Sequence, residues 1–241
     1  MSEWDLPSNV QSASIERIGG GGYLWESGVY KATVKLVYLD QAASEAISFN
    51  IILENKEGKE LKESMWIKSG KSKGNKTYYT KDGKDYPLPG YATANSLCIA
   101  ATGKPLPEIM KSLEKKTINI YNREQQKEVP TERPVAMELK DKVVTVAVHQ
   151  VMENKRKKEG DKYVTTAETR SYNECKFFGN ADGKTAEEIL NNADAVIMDK
   201  WAAKNTGAVI DKTVKVDSSP SSAASIMGSD EDTSSANSMF G

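Results

Sequence analysis

The sequence predicts a mainly β protein, and three observations lead to this prediction. Apolar and polar residues alternate along three consecutive stretches near the start of the chain, which is the pattern of half-buried strands. Small apolar residues then cluster between residues 93 and 102, as in a short helix that packs closely on a sheet. Two further alternating stretches follow, separated by a lysine-rich turn. The predicted order is therefore three strands, a helix and a β-hairpin.

The three strands are placed by their alternation and by one turn. The first is predicted over residues 29–39 and the second over residues 47–53, each with one apolar face. A charged turn over residues 55–59 leads into a third strand over residues 61–68. On the first strand, strict alternation assigns these side chains to the apolar face: Tyr30, Ala32, Val34, Leu36 and Tyr38.

The predicted helix ends where the chain meets Gly103 and Pro105, because both residue types stop helices. The segment before it, residues 69–89, is predicted to be a long polar loop. The hairpin is predicted from residues 143–152 and 163–172, which are joined by a basic turn.

A last helix is predicted over residues 185–205. Thr185 is suited to the N-cap, Glu188 completes a capping box, and Gly207 ends the helix. Three strands, a helix and a hairpin are the element order of an OB-fold, a five-stranded Greek-key barrel, here with added helices and a tail. Short strands separated by turns also fit a β-sandwich.

The two ends of the chain differ in composition from the middle. Residues 1–22 close with four consecutive glycines and are predicted to be flexible. Residues 23–206 are predicted to form the OB-fold domain. Residues 207–241 are predicted to be a disordered acidic tail, because residues 217–241 carry nine serines, four acidic groups and no basic group.

The composition argues against catalysis and against a metal site. The chain has one histidine and two cysteines, too few for a Cys/His zinc cluster or a disulfide scaffold. His149 alternates with apolar neighbours on a predicted strand, which indicates a structural role. We therefore expect no enzyme activity, no catalytic residue and no cofactor.

Two nucleotide-binding motifs are incomplete. Gly70-Lys71-Ser72 lacks the earlier glycine of a P-loop, because Met65 stands in its place. The glycines of residues 19–22 do not complete a dinucleotide-binding motif. Without a signal peptide or a long apolar segment, the chain is expected to be cytoplasmic.

The most informative stretch follows the third strand. Six lysines lie between Lys68 and Lys84, against the single acidic residue Asp82. Aromatic residues interleave with these lysines, as in proteins that bind single-stranded nucleic acid, where cations contact phosphates and flat rings stack on unpaired bases. If the first and third strands are neighbours, their outward lysines extend the same surface, and the basic hairpin turn flanks it. The predicted DNA-binding residues are Lys31, Lys35, Lys62, Trp66, Lys68, Lys71, Lys73, Lys76, Tyr78, Tyr79, Tyr86, Arg156 and Lys157.

The acidic tail is a second candidate site. It ends in an apolar pair that includes Phe240, close to the acidic cluster Asp230, Glu231 and Asp232. A disordered acidic segment with an aromatic anchor can dock on a basic, apolar pocket of another protein. The tail is therefore predicted to bind partners.

Three stretches resemble phage-encoded single-stranded DNA-binding proteins. The resemblance covers about residues 27–205 and implies an OB-fold core that coats unpaired DNA during phage replication, recombination or repair in the host cytoplasm. It also implies an acidic C-terminal tail that recruits replication or recombination proteins. The stretches are SGVYKATV at residues 27–34, WIKSGKSKGNKTYY at residues 66–79 and LPGYATANSLC at residues 88–98.

The sequence thus predicts a non-enzymatic single-stranded DNA-binding protein with no membrane association. The alternative is a β-rich protein-interaction or virion structural module whose basic loop binds an acidic protein.

Overall fold

The first three strands form an antiparallel meander in the computed structural model, which describes residues 24–122, 125–160 and 162–216. They are β1 Gly28–Gln41, β2 Ile47–Asn55 and β3 Glu60–Lys68, and β2 lies between the other two. The prediction of these three strands is confirmed. The chain is mainly β, and its largest sheet has eight strands.

A β-bulge in β1 changes which residues face the core. The register shifts between Val34 and Leu36, and Val37 and Leu39 are buried beyond it, whereas Leu36 and Tyr38 are half-buried. The predicted apolar face is therefore right as far as Val34 and wrong after it. Strict alternation cannot account for the extra residue that a bulge inserts.

Another hairpin occupies part of the segment predicted to be a loop. Strands β4 Tyr78–Lys81 and β5 Lys84–Pro87 pair around Asp82 and Gly83. Both turn residues have positive φ, 51° and 74°, as a type I′ hairpin turn requires. The prediction of a loop over residues 69–89 was wrong in this part.

Helix α1 Pro89–Thr102 follows directly and is longer than predicted. It ends at Gly103, whose φ of 76° is left-handed, so the predicted end is confirmed. A single helical turn, α2 Leu106–Ile109, comes next. Helix α1 packs against β3 and against a later strand, β9 Lys162–Gly179.

Strands β6 Glu114–Asn122 and β7 Lys127–Val135 form a hairpin that the sequence did not predict. The hairpin joins the large sheet where Val135 of β7 pairs with Tyr38 of β1. Most of β6 is exposed.

Strand β8 Val143–Glu159 pairs with β9 in a ribbon that is longer than predicted. The first part of β8 also pairs with β1 and belongs to the core. Residues 155–158, predicted to lie in the turn, instead continue β8 as an exposed strand. The hairpin is confirmed, and the basic residues lie along it rather than only at its tip.

The predicted helix over residues 185–205 is interrupted. It divides into α3 Ala186–Leu190 and α4 Ile197–Asn205. The capping box of Thr185 and Glu188 is confirmed, and the Glu188 carboxylate also accepts hydrogen bonds from the N–H groups of Val196 and Ile197. These hydrogen bonds hold the pKa of Glu188 at about 2 despite its burial.

The described structure continues beyond residue 206, the predicted end of the domain. Strand β10 Val209–Asp211 pairs in parallel with β8. Residues 1–22, the tail residues 217–241 and the four named tail residues Asp230, Glu231, Asp232 and Phe240 lie outside the described residues. No helix in the described part of the chain is long and apolar enough to cross a membrane.

The sheet stays open between its two end strands. The core strands run in the order β3–β2–β1–β8–β9, and β3 and β9 share no backbone pairing among the described residues. At this seam, an oxygen of Glu63 on β3 accepts a hydrogen bond from the N–H of Cys175 on β9, at 2.6 Å. Burial raises the pKa of Glu63 to about 7. Helix α1 contacts both strands and so covers part of the seam.

Gly90 allows α1 to approach β3. A Cβ at this position would lie 2.5 Å from the carbonyl oxygen of Trp66 and 2.6 Å from its backbone nitrogen.

We expect Gly90→Ala to lower the free energy of unfolding by about 1–3 kcal/mol, as overpacking does, despite the better helix propensity of alanine. Chemical denaturation measures this change, and Ala92→Ser on the exposed side of α1 is the control. Equal stability of the two variants would contradict the close contact.

Glu63 is expected to make stability depend on pH. Its pKa is higher in the folded protein, about 7, than the ordinary 4.5, so the folded state retains a proton that the unfolded state loses. Stability should therefore fall as the pH rises from 4.5 through 7. Glu63→Gln keeps an acceptor for Cys175 but cannot ionise, so its advantage over the parent should grow by about 1–3 kcal/mol between about pH 5 and pH 8.

Denaturant unfolding at the two pH values provides the measurement, with Glu60→Gln on the exposed side of β3 as the matched control. If Glu63→Gln and the parent lose stability in parallel, Glu63 is ionised at both pH values and the proposed cause is wrong.

Candidate functional site

A cleft lies along the seam between β3 and β9. Its volume is about 750 Å³, and it is open to solvent. β3, the segment after it, the β4 strand and the start of α1 form one wall, and β9 with the adjoining part of β8 forms the other. The cleft therefore exists where the sheet is not joined by backbone hydrogen bonds.

The first wall carries three aromatic rings. Trp66 is half-buried on β3, and Tyr78 and Tyr79 are each 38% exposed on β4. The rings of Tyr79 and Tyr86 stack with their centroids 5.7 Å apart. The two strands of the small hairpin thus fix flat, partly exposed rings beside the cleft, where a planar ligand can stack on them.

The lysine-rich segment between β3 and β4 is held in place. Its ends are joined because Ser69 N–H donates to the Lys76 carbonyl and Lys76 N–H donates to the Ser69 hydroxyl, each at 2.8 Å. The Lys71 N–H donates to the carbonyl of Ser44 in the β1–β2 turn, also at 2.8 Å. The backbone that carries Lys73 and Lys76 is therefore fixed relative to the sheet.

Lys76 also contacts an aromatic ring. Its Nζ lies 5.1 Å from the centre of the Tyr78 ring, which is within the range of cation–π attraction. A positive charge and a stacking surface are thus adjacent on this wall.

The second wall repeats the combination of charge and ring. The guanidinium of Arg170 lies 5.6 Å from the centre of the Tyr172 ring, and both residues line the cleft. The Arg170 Nε donates to Glu153 at 2.9 Å, and the Tyr172 hydroxyl donates to the same carboxylate at 3.3 Å. Burial and the Glu153 charge raise the pKa of Tyr172 to about 12, so the phenol stays neutral.

The acidic groups of the cleft are largely compensated. Burial raises the pKa of Glu63 to about 7, so part of this carboxyl is protonated at neutral pH. Glu174 is also partly buried, but hydrogen bonds and charges from Lys176 and Lys212 outweigh the burial and lower its pKa. Glu153 is paired with Arg170. The lysines of the first wall therefore face few uncompensated negative charges.

Six of the predicted binding residues line this cleft. They come from β3, the lysine-rich segment and β4, which are consecutive in the chain. The residues are Lys62, Trp66, Lys73, Lys76, Tyr78 and Tyr79.

The lysines of β1 do not line the cleft. β2 lies between β1 and β3, so the two strands are not the neighbours that the prediction required, and Lys31 and Lys35 are absent from both walls. Lys35 lies at the β-bulge and forms an ion pair with Glu54 at 3.2 Å.

The remaining predicted residues surround the cleft or lie away from it. Lys68 is half-buried at the end of β3, and Lys71 pairs with Glu45 at 3.8 Å. Tyr86 stacks on Tyr79 from β5. Arg156 and Lys157 are exposed on the outer part of the β8–β9 ribbon, beyond the section that lines the cleft.

Sequence reasoning missed Arg170 and Tyr172. In sequence they stand alone within a polar alternating strand, with no basic or aromatic cluster around them. Only the long pairing of β9 with β8, and the approach of β9 to β3, brings them opposite the lysine-rich segment.

The surroundings of the histidine and of the two cysteines bear on the chemistry that these residues can perform. His149 Nε2 lies 3.1 Å from the Asn205 amide oxygen, and the imidazole stacks on Trp201. Burial raises the pKa of both thiols, Cys98 and Cys175. Within the part of the chain that the structure describes, no three His, Cys, Asp or Glu residues group as metal ligands do.

No protein-family model matches the chain, and no curated protein matches it significantly. The interpretation of the cleft therefore depends on its own geometry.

Proposed function

We propose that this protein binds single-stranded DNA in the cleft between β3 and β9 and performs no chemistry on it. The observation that carries the proposal is the pairing of cations with partly exposed aromatic rings on both walls of one open groove. The first wall supplies Lys76 beside Tyr78, and the second supplies Arg170 beside Tyr172.

Single strands fit this arrangement better than duplex DNA. Aromatic side chains stack on the faces of unpaired bases, which in a duplex are covered by neighbouring base pairs. Such stacking contributes about 1–3 kcal/mol per base, and it tolerates any sequence because every base has a flat face. The lysines of the first wall neutralise phosphates, so the affinity should fall as salt rises.

The proposed core is an OB-fold whose barrel is left open at the binding cleft. The strand order β3–β2–β1–β8–β9, with α1 between β3 and β8 in the chain, supports this assignment. The hydrogen bond between Cys175 and Glu63 supports it too, because it bridges the two strands that a closed barrel would pair.

The biological setting is also a proposal. The resemblance of residues 27–205 to phage single-stranded DNA-binding proteins suggests a role in phage replication or recombination in the host cytoplasm. The acidic tail, including Phe240, would then recruit replication or recombination proteins.

Removing one ring from either wall should weaken DNA binding. We expect Tyr79→Ala and Tyr172→Ala each to weaken binding of labelled oligo(dT) by about 1–3 kcal/mol, which is roughly a 5- to 150-fold rise in Kd. Fluorescence anisotropy at low salt measures this change. Tyr121→Ala, which removes a 59%-exposed ring on β6, is the matched control and should bind like the parent. Unchanged affinity in both cleft variants would exclude this cleft as the binding site.

Salt dependence and competition distinguish the proposed ligand from others. For single strands, log Kd should rise with log salt by about 0.7 for each phosphate neutralised, and Lys76→Gln should reduce that slope by about the same amount. Unlabelled single strands should displace the probe far better than duplex at equal phosphate concentration. Equal displacement by duplex would contradict the proposal, and failure to bind any nucleic acid would favour the acidic-protein alternative.

A further inference from the structure

The two edges of the β6–β7 hairpin differ. The outer edge of β7 contains two prolines and meets β1 at Val135, and we call it the protected edge; the outer edge of β6 is the open edge. Among the described residues, β6 pairs with β7 alone, so its second edge has no strand beside it. A two-stranded hairpin by itself is marginally stable in water, and an open edge is a template for another strand.

The backbone direction at each edge follows from one hydrogen bond. The N–H of Ala136 donates to the carbonyl of Val37 on β1, so the even-numbered residues of β7 direct their backbone groups away from β6. Two of these four residues are proline, which has no N–H to offer an incoming strand. The four are Glu128, Pro130, Glu132 and Pro134.

The opposite residues of β6 direct their backbone groups to the open edge. They are the partners of those four β7 residues in the unbroken register of the hairpin, and none of them is proline. All four therefore offer both an N–H and a C=O to a new strand. They are Lys115, Thr117, Asn119 and Tyr121.

We propose that two copies of this chain associate by pairing β6 with β6, antiparallel, about a two-fold axis at Ile118. Ile118 is the middle residue of β6, so this register uses the whole strand. It pairs Lys115 with Tyr121 and Thr117 with Asn119 of the second copy, and each such pair exchanges two backbone hydrogen bonds.

The side chains are compatible with this register. Lys116 lies opposite Ile120 and Glu114 opposite Asn122, so no like charges face each other. Ile118 and Ile120 share one face of the hairpin with Val129 and are half-buried by their own hairpin. Pairing would bring the Ile118 side chains of the two copies together on this face, at the centre of a four-stranded sheet.

This association does not depend on the proposed function. The cleft lies between β3 and β9, whereas β6 contacts the rest of the sheet through β7. Failure of DNA binding would leave the pairing of β6 untouched, and the reverse also holds.

A disulfide at the two-fold axis tests the proposal directly. Ile118 would lie opposite Ile118 of the second copy as a non-hydrogen-bonded pair. The two Cα atoms of such a pair are about 4.5 Å apart, which is within the range of a disulfide. The full-length Ile118→Cys variant should form a covalent dimer under mild oxidation. Both native cysteines are buried, so a covalent dimer would arise from the introduced thiol.

Thr131→Cys is the matched control, because Thr131 pairs with Ile118 across the hairpin but is one strand further from the axis in each copy. We expect at least about tenfold more covalent dimer from the variant at position 118 than from the control, since only the former meets the distance requirement. Equal yields, or no dimer from either variant, would overturn the proposal.

A second variant tests the association without a disulfide. Asn119→Pro removes an N–H at the open edge, and Glu128→Pro removes one at the protected edge. Sedimentation equilibrium of the full chain should show dimer for the parent and for Glu128→Pro, and monomer for Asn119→Pro. A parent that is monomeric at all concentrations, or an Asn119→Pro variant that dimerises like the parent, would overturn it.

Discussion

The hydrogen bond between Glu63 and Cys175 bridges the seam between β3 and β9, where no backbone pairing joins the described strands. It holds β3 and β9 within reach of each other through a side chain, where a backbone ladder would have brought them about 5 Å apart. Because the strands meet in this way, a groove remains between them, and the aromatic and basic side chains of both walls stay accessible. Helix α1, seated on both strands, covers part of the same seam, and Gly90 allows it to sit directly on Trp66.

The elements that sequence predicts well are those specified by local chemistry. Alternation placed the first three strands, Gly103 ended α1, and Thr185 with Glu188 capped α3. Alternation failed after the β-bulge in β1, because a bulge is specified by tertiary contacts rather than by the sequence period. The β4–β5 hairpin did carry a local signal, since Asp82-Gly83 is a favoured two-residue turn. The segment was nevertheless predicted to be a loop, because it is rich in lysine and lacks alternating apolar residues.

The residues of the candidate site also divide into those that the sequence predicted and those that it did not. The first wall comes from consecutive residues, so composition alone identified Trp66, Lys73, Lys76, Tyr78 and Tyr79 as a group. The second wall comes from a strand about one hundred residues later, and its Arg170 and Tyr172 join the site only through topology. Topology also explains why Lys31 and Lys35 do not line the cleft, since β2 separates their strand from β3.

If single-stranded DNA binds as proposed, its unpaired bases lie between the two walls of the cleft. Photocrosslinking with bromodeoxyuridine-substituted oligo(dT), followed by mass spectrometry of the crosslinked peptides, locates these bases. We expect crosslinks on β3 or β4 at Trp66, Tyr78 or Tyr79, together with crosslinks on β9 at Tyr172. Crosslinks confined to the outer ribbon around Lys157, or to the β6–β7 hairpin, would contradict the proposed binding site.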